Sequence, residues 1–119
     1  MTFDIVALCG EQPDPAATIA AMRAAGPQLR VDTDDDAQLV ALYHEDGRLL
    51  LTTEGARLVQ VPGEVTRLLG ISEDHTAVPH PVWWVESRGP GHDPEAEAVA
   101  RRFTQALVGV TGGLSWSNR

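Results

Sequence analysis

Hydrophobic residues in the last third of the chain follow first a strand pattern and then a helix pattern. Residues 82–88 (VWWVESR) are rich in β-branched and aromatic residues and predict a strand, and the glycines and proline of residues 89–92 predict the turn that ends it. Adjacent strand residues point to opposite faces, so Trp83 and Trp84 cannot both enter one layer. We expect one indole beneath a helix and the other on the reverse face of the sheet, either covered by a loop or exposed for a partner.

A helix is predicted directly after this strand. Asp93 can accept hydrogen bonds from the free N–H groups of a first turn, and Pro94 suits the first helical position because its missing N–H would be unpaired there. Gly112-Gly113 ends the helix before Leu114-Ser115-Trp116. The helix must bury its apolar stripe, and the tryptophan strand is the expected surface. The stripe consists of Ala96, Val99, Phe103, Leu107 and Val110.

The N-terminal part repeats this plan, and a meander is predicted between the two ends. Residues 3–9 predict a buried strand, and Asp14-Pro15 opens a short alanine-rich helix over residues 16–25. In the middle, Asp46-Gly47 predicts a two-residue hairpin, since that turn needs positive φ at both positions. Glu54-Gly55 predicts a second such turn. The other predicted segments are strands at 29–31, 38–45, 48–53 and 56–61, a short helix at 64–69, a loop at 71–80 and a fraying end at 117–119.

These elements predict a single α+β domain that spans residues 1–119. We expect a two-layer sandwich in which a mainly antiparallel sheet carries two main helices on one face. A ferredoxin-like variant is one form of this plan.

Charge and composition narrow the classes of function. The net charge is −8, which repels a phosphate backbone and attracts a basic protein, so we predict no nucleic-acid partner. No apolar run approaches membrane-spanning length, and the N-terminus lacks the pattern of a signal peptide. A single cysteine excludes an intramolecular disulfide and fits a reducing compartment. We therefore predict a cytoplasmic protein with no membrane partner.

Two motifs resemble known binding sites but fail at diagnostic positions. Asp32, Asp34 and Asp36 have the spacing with which a calcium loop begins, yet Ala37 and Tyr43 stand where that loop needs glycine and glutamate. Residues 66–72 (TRLLGIS) resemble the centre of a helix-turn-helix, but prolines interrupt the expected recognition helix and basic residues are absent from it. A solvated turn explains the three aspartates equally well. A short helix that ends at Gly70 explains residues 66–72.

Other residues with chemical potential do not form a recognisable site. The histidines are His44, His75, His80 and His92, and none belongs to a close pair of the His-Glu-x-x-His kind. Cys9 ends an apolar strand, where a buried structural cysteine is the ordinary case. We predict no catalytic, cofactor-binding or metal-binding residues.

What remains is the surface. Either it holds a protein partner, or all three tryptophans belong to the core and the acidic charge only keeps the domain soluble. Acidic loops beside an exposed tryptophan can hold a basic protein. The predicted contacts are Asp34, Asp35, Asp36, Glu45, Asp46 and Trp84. One alternative is a small dimer with a ligand pocket between sheet and helices, which needs convergent groups such as His44, Tyr43 and Arg88. Another is an oligomer that pairs sheet edges or buries a free tryptophan face.

In its general character, and by motif over its C-terminal third, the chain resembles small acidic actinobacterial proteins, of which some serve as immunity or accessory proteins to toxins and secretion systems. The resemblance rests on its size, on basic residues that are all arginine, and on the strand, Asp-Pro helix and Gly-Gly-x-x-Trp ending. It implies a non-enzymatic domain that binds a protein. It assigns no functional residue.

Overall fold

The computed structural model describes residues 2–26, 28–33, 39–60, 64–70 and 81–118, and for 64–66 only the backbone. Seven strands and three helices occur in these residues. In chain order they are β1 (Thr2–Cys9), α1 (Pro15–Ala25), β2 (Arg30–Thr33), β3 (Leu39–Tyr43), β4 (Leu49–Glu54), β5 (Arg57–Val59), α2 (Glu64–Leu69), β6 (Val82–Pro90), α3 (Pro94–Thr111) and β7 (Gly113–Ser117).

The described strands form one sheet in which every pairing is antiparallel. The strand order is β2-β3-β4-β6-β1-β7, and β5 also pairs with β6. Buried residues of α1 and α3 belong to one core cluster with one face of this sheet. The predicted α+β sandwich with two main helices on one face is therefore confirmed, while the ferredoxin-like variant stays a prediction.

The helix-side core follows from the alternation of side chains along β1. Phe3, Ile5, Ala7 and Cys9 are buried in the cluster that includes Phe103, whereas the residues between them lie on the reverse face. Each large apolar side chain removed from water in this way contributes about 1.5–3 kcal/mol to folding. The strand is thus buried on both sides along most of its length.

The two Asp-Pro helices begin where the sequence predicts. Asp14 Oδ1 accepts a hydrogen bond from the Ala17 N–H at 2.7 Å, which satisfies a free donor of the first turn of α1. The predicted stripe of α3 is buried except at its end, where Val110 is 67% exposed and Thr111 is buried. The prediction for Val110 is wrong because the buried face of α3 turns towards Thr104 and Thr111 along the helix.

The two predicted hairpin turns differ from the structure. His44 N donates to Arg48 O and Gly47 N to His44 O, both at 2.8 Å, so the first loop has three residues rather than two, with Gly47 at φ 91°. The second turn is absent from the described chain, because β4 and β5 both pair with β6 and run in one direction along it. The bend at Gly55 therefore interrupts a strand and does not reverse it.

The strands β6 and β7 both continue beyond the ends that the sequence predicts for them. β6 continues to Pro90, and its final residue pairs with Thr2 at the start of β1. β7 continues to Ser117, and Asn118 N donates to Asp4 O at 3.1 Å. The prediction that residues 117–119 fray is wrong for Ser117 and Asn118, because β1 offers them backbone partners.

The two neighbouring tryptophans lie on opposite faces, as predicted. Trp83 packs against the helix-side cluster, and Trp84 packs on the reverse face with Leu69 and Trp116. Trp84 is only 6% exposed. The prediction that Trp84 offers an exposed indole to a partner is therefore wrong, because α2 and the neighbouring strands contribute side chains that cover it.

Candidate functional site

Several charged side chains of the described chain come together where the β3–β4 hairpin meets the start of α3. The hairpin contributes Glu45, Asp46 and Arg48, and the helix contributes Asp93 and Glu95. We call the four carboxylates of this group the acidic end.

Local hydrogen bonds fix the shape of the hairpin loop. Asp46 Oδ1 accepts from the Arg48 N–H at 2.9 Å, and this bond is the main reason why the pKa of Asp46 lies below its usual value. The Asp46 N–H donates to His44 Nδ1 at 3.1 Å. His44 Nδ1 also lies 3.1 Å from Asp46 Oδ1, and its Nε2 lies 3.5 Å from Glu95 Oε1.

The helix side of the site is fixed by the N-terminal cap of α3. Asp93 Oδ1 accepts from the N–H groups of Glu95 and Ala96 at 3.0 and 3.4 Å. Burial raises the pKa of Asp93, but these two bonds and the nearby Arg48 guanidinium outweigh it and hold the pKa below its usual value. The positive end of the helix also favours carboxylates in its first turn.

Arg48 joins the two elements. Its Nη1 contacts Asp93 Oδ2, its Nη2 donates to Glu95 Oε2 at 2.8 Å, and its Nε lies 3.5 Å from Asp46 Oδ2. The hydrogen bond to Glu95 and the charges of Asp93 and Asp46 raise the pKa of Arg48, so the guanidinium stays charged. Every nitrogen of this guanidinium thus faces a carboxylate within the protein.

The result is a fixed surface with excess negative charge. Asp46, Asp93 and Glu95 contact a single guanidinium, and Glu45 adds a fourth negative charge in the hairpin loop. The side chains of Asp46 and Glu95 are 53% and 43% exposed, and Glu45 is also exposed. Such a surface can bind the guanidinium or ammonium groups of another molecule.

The structure brings together some predicted contact residues and adds others. Glu45 and Asp46 belong to the acidic end, whereas Asp34, Asp35 and Asp36 lie outside the described residues. Their described neighbours Thr33 and Leu39 lie at the end of β3 opposite to the hairpin loop. Sequence reasoning missed the contributions of Arg48 and Glu95.

The alternative of convergent His44, Tyr43 and Arg88 is not supported by their positions. The Arg30 guanidinium lies 4.6 Å from the centre of the Tyr43 ring, and Arg88 Nε donates to Asp4 Oδ1 at 2.9 Å. Arg88 does line a depression on the reverse face of the sheet. Its volume is about 50 Å³, far below the several hundred Å³ that small-molecule pockets usually have. The depression is lined by Leu39, Thr52, Glu54, Glu86 and Arg88.

Cys9 and the described histidines show no arrangement for thiol or metal chemistry. Cys9 is buried in the helix-side core, and burial raises the pKa of its thiol although a hydrogen bond with Thr111 acts in the opposite direction. A raised pKa disfavours the reactive thiolate. Within the described ranges, no three His, Cys, Asp or Glu side chains are placed to hold a metal ion. His75 and His80 lie outside those ranges.

Comparisons with known proteins assign no family to the chain. None of the helices in the described chain is both long and apolar enough to span a membrane. No protein-family model matches the chain, and the searches of curated proteins and of solved structures found no match to it.

Proposed function

We propose that this chain is a non-enzymatic, cytoplasmic protein-binding domain that holds a basic protein through the acidic end. The observation that carries the proposal is the fixed excess of carboxylates around Arg48. Although Arg48 contacts both carboxylates, the side chains of Asp46 and Glu95 are about half exposed and remain accessible to a partner. An immunity or accessory protein that covers a basic toxin would use such a surface.

The internal contacts of the acidic end support binding rather than simple solubility. The hairpin loop is held by its own backbone bonds, and its Arg48 side chain is anchored to a capped helix. A surface whose charges are already held in place loses little conformational freedom when a partner binds. Charges at the rim of an interface mainly accelerate association, so binding should weaken as salt increases.

The chain offers a matched pair of variants to test this proposal. Glu45→Gln with Asp46→Asn removes two charges from the hairpin loop, and the asparagine keeps the oxygen that accepts from Arg48. Glu11→Gln with Asp14→Asn removes the same two kinds of charge near the other end of α3, where Gly10 bonds to Gly112. Asparagine preserves the cap that Asp14 provides.

The experiment captures proteins from a lysate of the source organism on the immobilised chain. We expect one basic protein at stoichiometric level, released by high salt. The Glu45/Asp46 double variant should bind it about five- to tenfold more weakly, since each exposed ion pair contributes about 0.5–0.7 kcal/mol. The Glu11/Asp14 double variant should bind as the natural chain does. Equal binding by both variants, an acidic captured protein, or no captured protein would contradict the proposal.

A further inference from the structure

The two outer strands of the described sheet differ in how they are protected from pairing with another strand. β2 has four residues, of which Arg30 and Asp32 are charged. β7 has five residues (GLSWS), none charged and none proline. Natural sheets usually protect an open edge with charge, proline or a bulge. The edge formed by β7 has neither a charged residue nor a proline, so it can accept a further strand.

Two hydrogen bonds at the ends of β7 indicate which backbone groups face outward. Asn118 N donates to Asp4 O, and Gly10 N donates to Gly112 O. Bonded and non-bonded residue pairs alternate along an antiparallel pair of strands. Leu114 and Trp116, which pair with Leu8 and Val6, therefore bond to β1. Gly113 and Ser115, the alternate residues, direct their N–H and C=O groups away from β1.

We propose that β7 pairs with β7 of a second copy of this chain, antiparallel and with the two-fold axis at Ser115. In this register the outward N–H and C=O groups of Ser115 bond to the same groups of its counterpart. Leu114 lies opposite Trp116 of the second copy, and Trp116 lies opposite Leu114 of the second copy. Both side chains belong to the reverse face of the sheet, where they pack beside the cluster around Trp84.

The side-chain pairs across this axis support a second copy as the occupant. Each Leu–Trp pair joins an aliphatic and an aromatic side chain, a favourable cross-strand combination. The apolar clusters of the two reverse faces then become continuous across the axis. A strand that is complementary to itself in this way suits the isologous contact of a two-fold dimer.

The distribution of charge also permits two acidic chains to meet here. The acidic end lies at the N-terminus of α3, and β7 follows the C-terminus of that 18-residue helix, about 27 Å away at 1.5 Å per residue. This distance exceeds the screening length of about 8 Å in physiological salt. Asp4, a carboxylate beside the end of β7, is paired with Arg88, while Glu11 lies near the start of the strand, next to Gly10. Pairing of five-residue strands buries less area than a standard interface, so we expect a dissociation constant in about the micromolar range.

Sedimentation equilibrium of the full chain over a wide range of protein concentration tests this proposal. We expect a monomer that becomes a dimer as concentration rises. Ser115→Lys places two like charges opposite each other, and the backbone N–H that Ser115→Pro removes is one that points away from β1. Each should raise the dissociation constant at least about tenfold. Ser115→Thr keeps the N–H and should leave the constant unchanged within about threefold.

A second edge variant and a folding control make the test specific. Thr33→Lys places the same charge on β2 and should leave the dimer intact. Circular dichroism and tryptophan fluorescence should show the Ser115→Lys chain to be folded, since this exposed side chain lies at the edge. A chain that stays monomeric at every concentration would overturn the proposal. So would a dimer that Thr33→Lys weakens and Ser115→Lys does not.

Discussion

The buried hydroxyl pair of Thr53 and Ser87 allows a quantitative test of how the sheet is held beneath the helices. The two residues lie directly opposite each other on β4 and β6, and both are buried. Ser87 Oγ donates to Thr53 Oγ1 at 2.9 Å, and Thr53 Oγ1 donates to Glu86 O at 3.1 Å. Thr53 therefore acts as both acceptor and donor, whereas Ser87 acts here as a donor.

This asymmetry predicts unequal costs in a double-mutant cycle. Thr53→Val keeps the shape but leaves the Ser87 hydroxyl buried without its acceptor, so the free energy of unfolding should fall by about 1–3 kcal/mol. Ser87→Ala leaves the bond from Thr53 to Glu86 O in place and should cost about 0.5–1.5 kcal/mol. The double variant removes both polar groups and should cost at least about 0.5 kcal/mol less than the sum of the single changes.

Urea unfolding followed by tryptophan fluorescence measures these free energies. The protein concentration must be kept low, so that association does not contribute to apparent stability. Costs that add within about 0.3 kcal/mol would refute the coupling between the two hydroxyls. A larger cost for Ser87→Ala than for Thr53→Val would refute their assignment as donor and acceptor.

Two further predictions concern the start of β7 and the cap of α3. A Cβ at Gly113 would lie 1.9 Å from the backbone oxygen of Leu8, and the φ of 138° at Gly113 disfavours residues with a side chain. Gly113→Ala should therefore destabilise the fold by about 3 kcal/mol or more. Gly109→Ala, with open space around its Cβ, should instead stabilise α3 by about 0.5–1 kcal/mol. If thermal unfolding showed the same change in stability for Gly113→Ala and Gly109→Ala, this prediction would be contradicted. The lowered pKa of Asp93 means that its contribution to stability is present above the unfolded pKa of about 3.9 and is lost as pH falls through the folded value. Between pH 7 and pH 3, the free energy of unfolding should therefore fall less for the Asp93→Asn variant than for the natural chain. An identical fall for both chains, measured by urea unfolding, would contradict this prediction.

The helices were predictable because their signals are local. Asp14 and Asp93 each cap a helix through N–H groups at most three residues away, so the sequence itself contains both partners. The strand before α3 was predictable for a similar reason, since the β-branched and aromatic residues of 82–85 favour a strand wherever it packs.

Features that depend on distant partners could not be read from local patterns. Glu54-Gly55 has the composition of a reversing turn, but residues 57–59 continue along β6 because they pair with Trp84, Trp83 and Val82. Trp84 is covered by side chains that include Val59 and Leu69, and nothing near it in sequence identifies them.

The same limit applies to the acidic end. Glu45 and Asp46 stood out as an acidic hairpin loop, and the Asp93 cap was predicted. Their meeting depends on Arg48, whose partners Asp93 and Glu95 are 45 and 47 residues further along the chain. The register of β4 against β6, two strands distant in sequence, helps to bring the hairpin beside the start of α3.

The central claim is that a basic partner contacts the acidic end, and an NMR titration tests it most directly. The partner retained by the immobilised chain would be added to isotopically labelled protein while backbone amide resonances are recorded. The account predicts that the largest shifts occur at residues 44–48 and 93–95 and diminish with added salt. Shifts confined to β7 or to the reverse face of the sheet, with the hairpin loop unchanged, would contradict it.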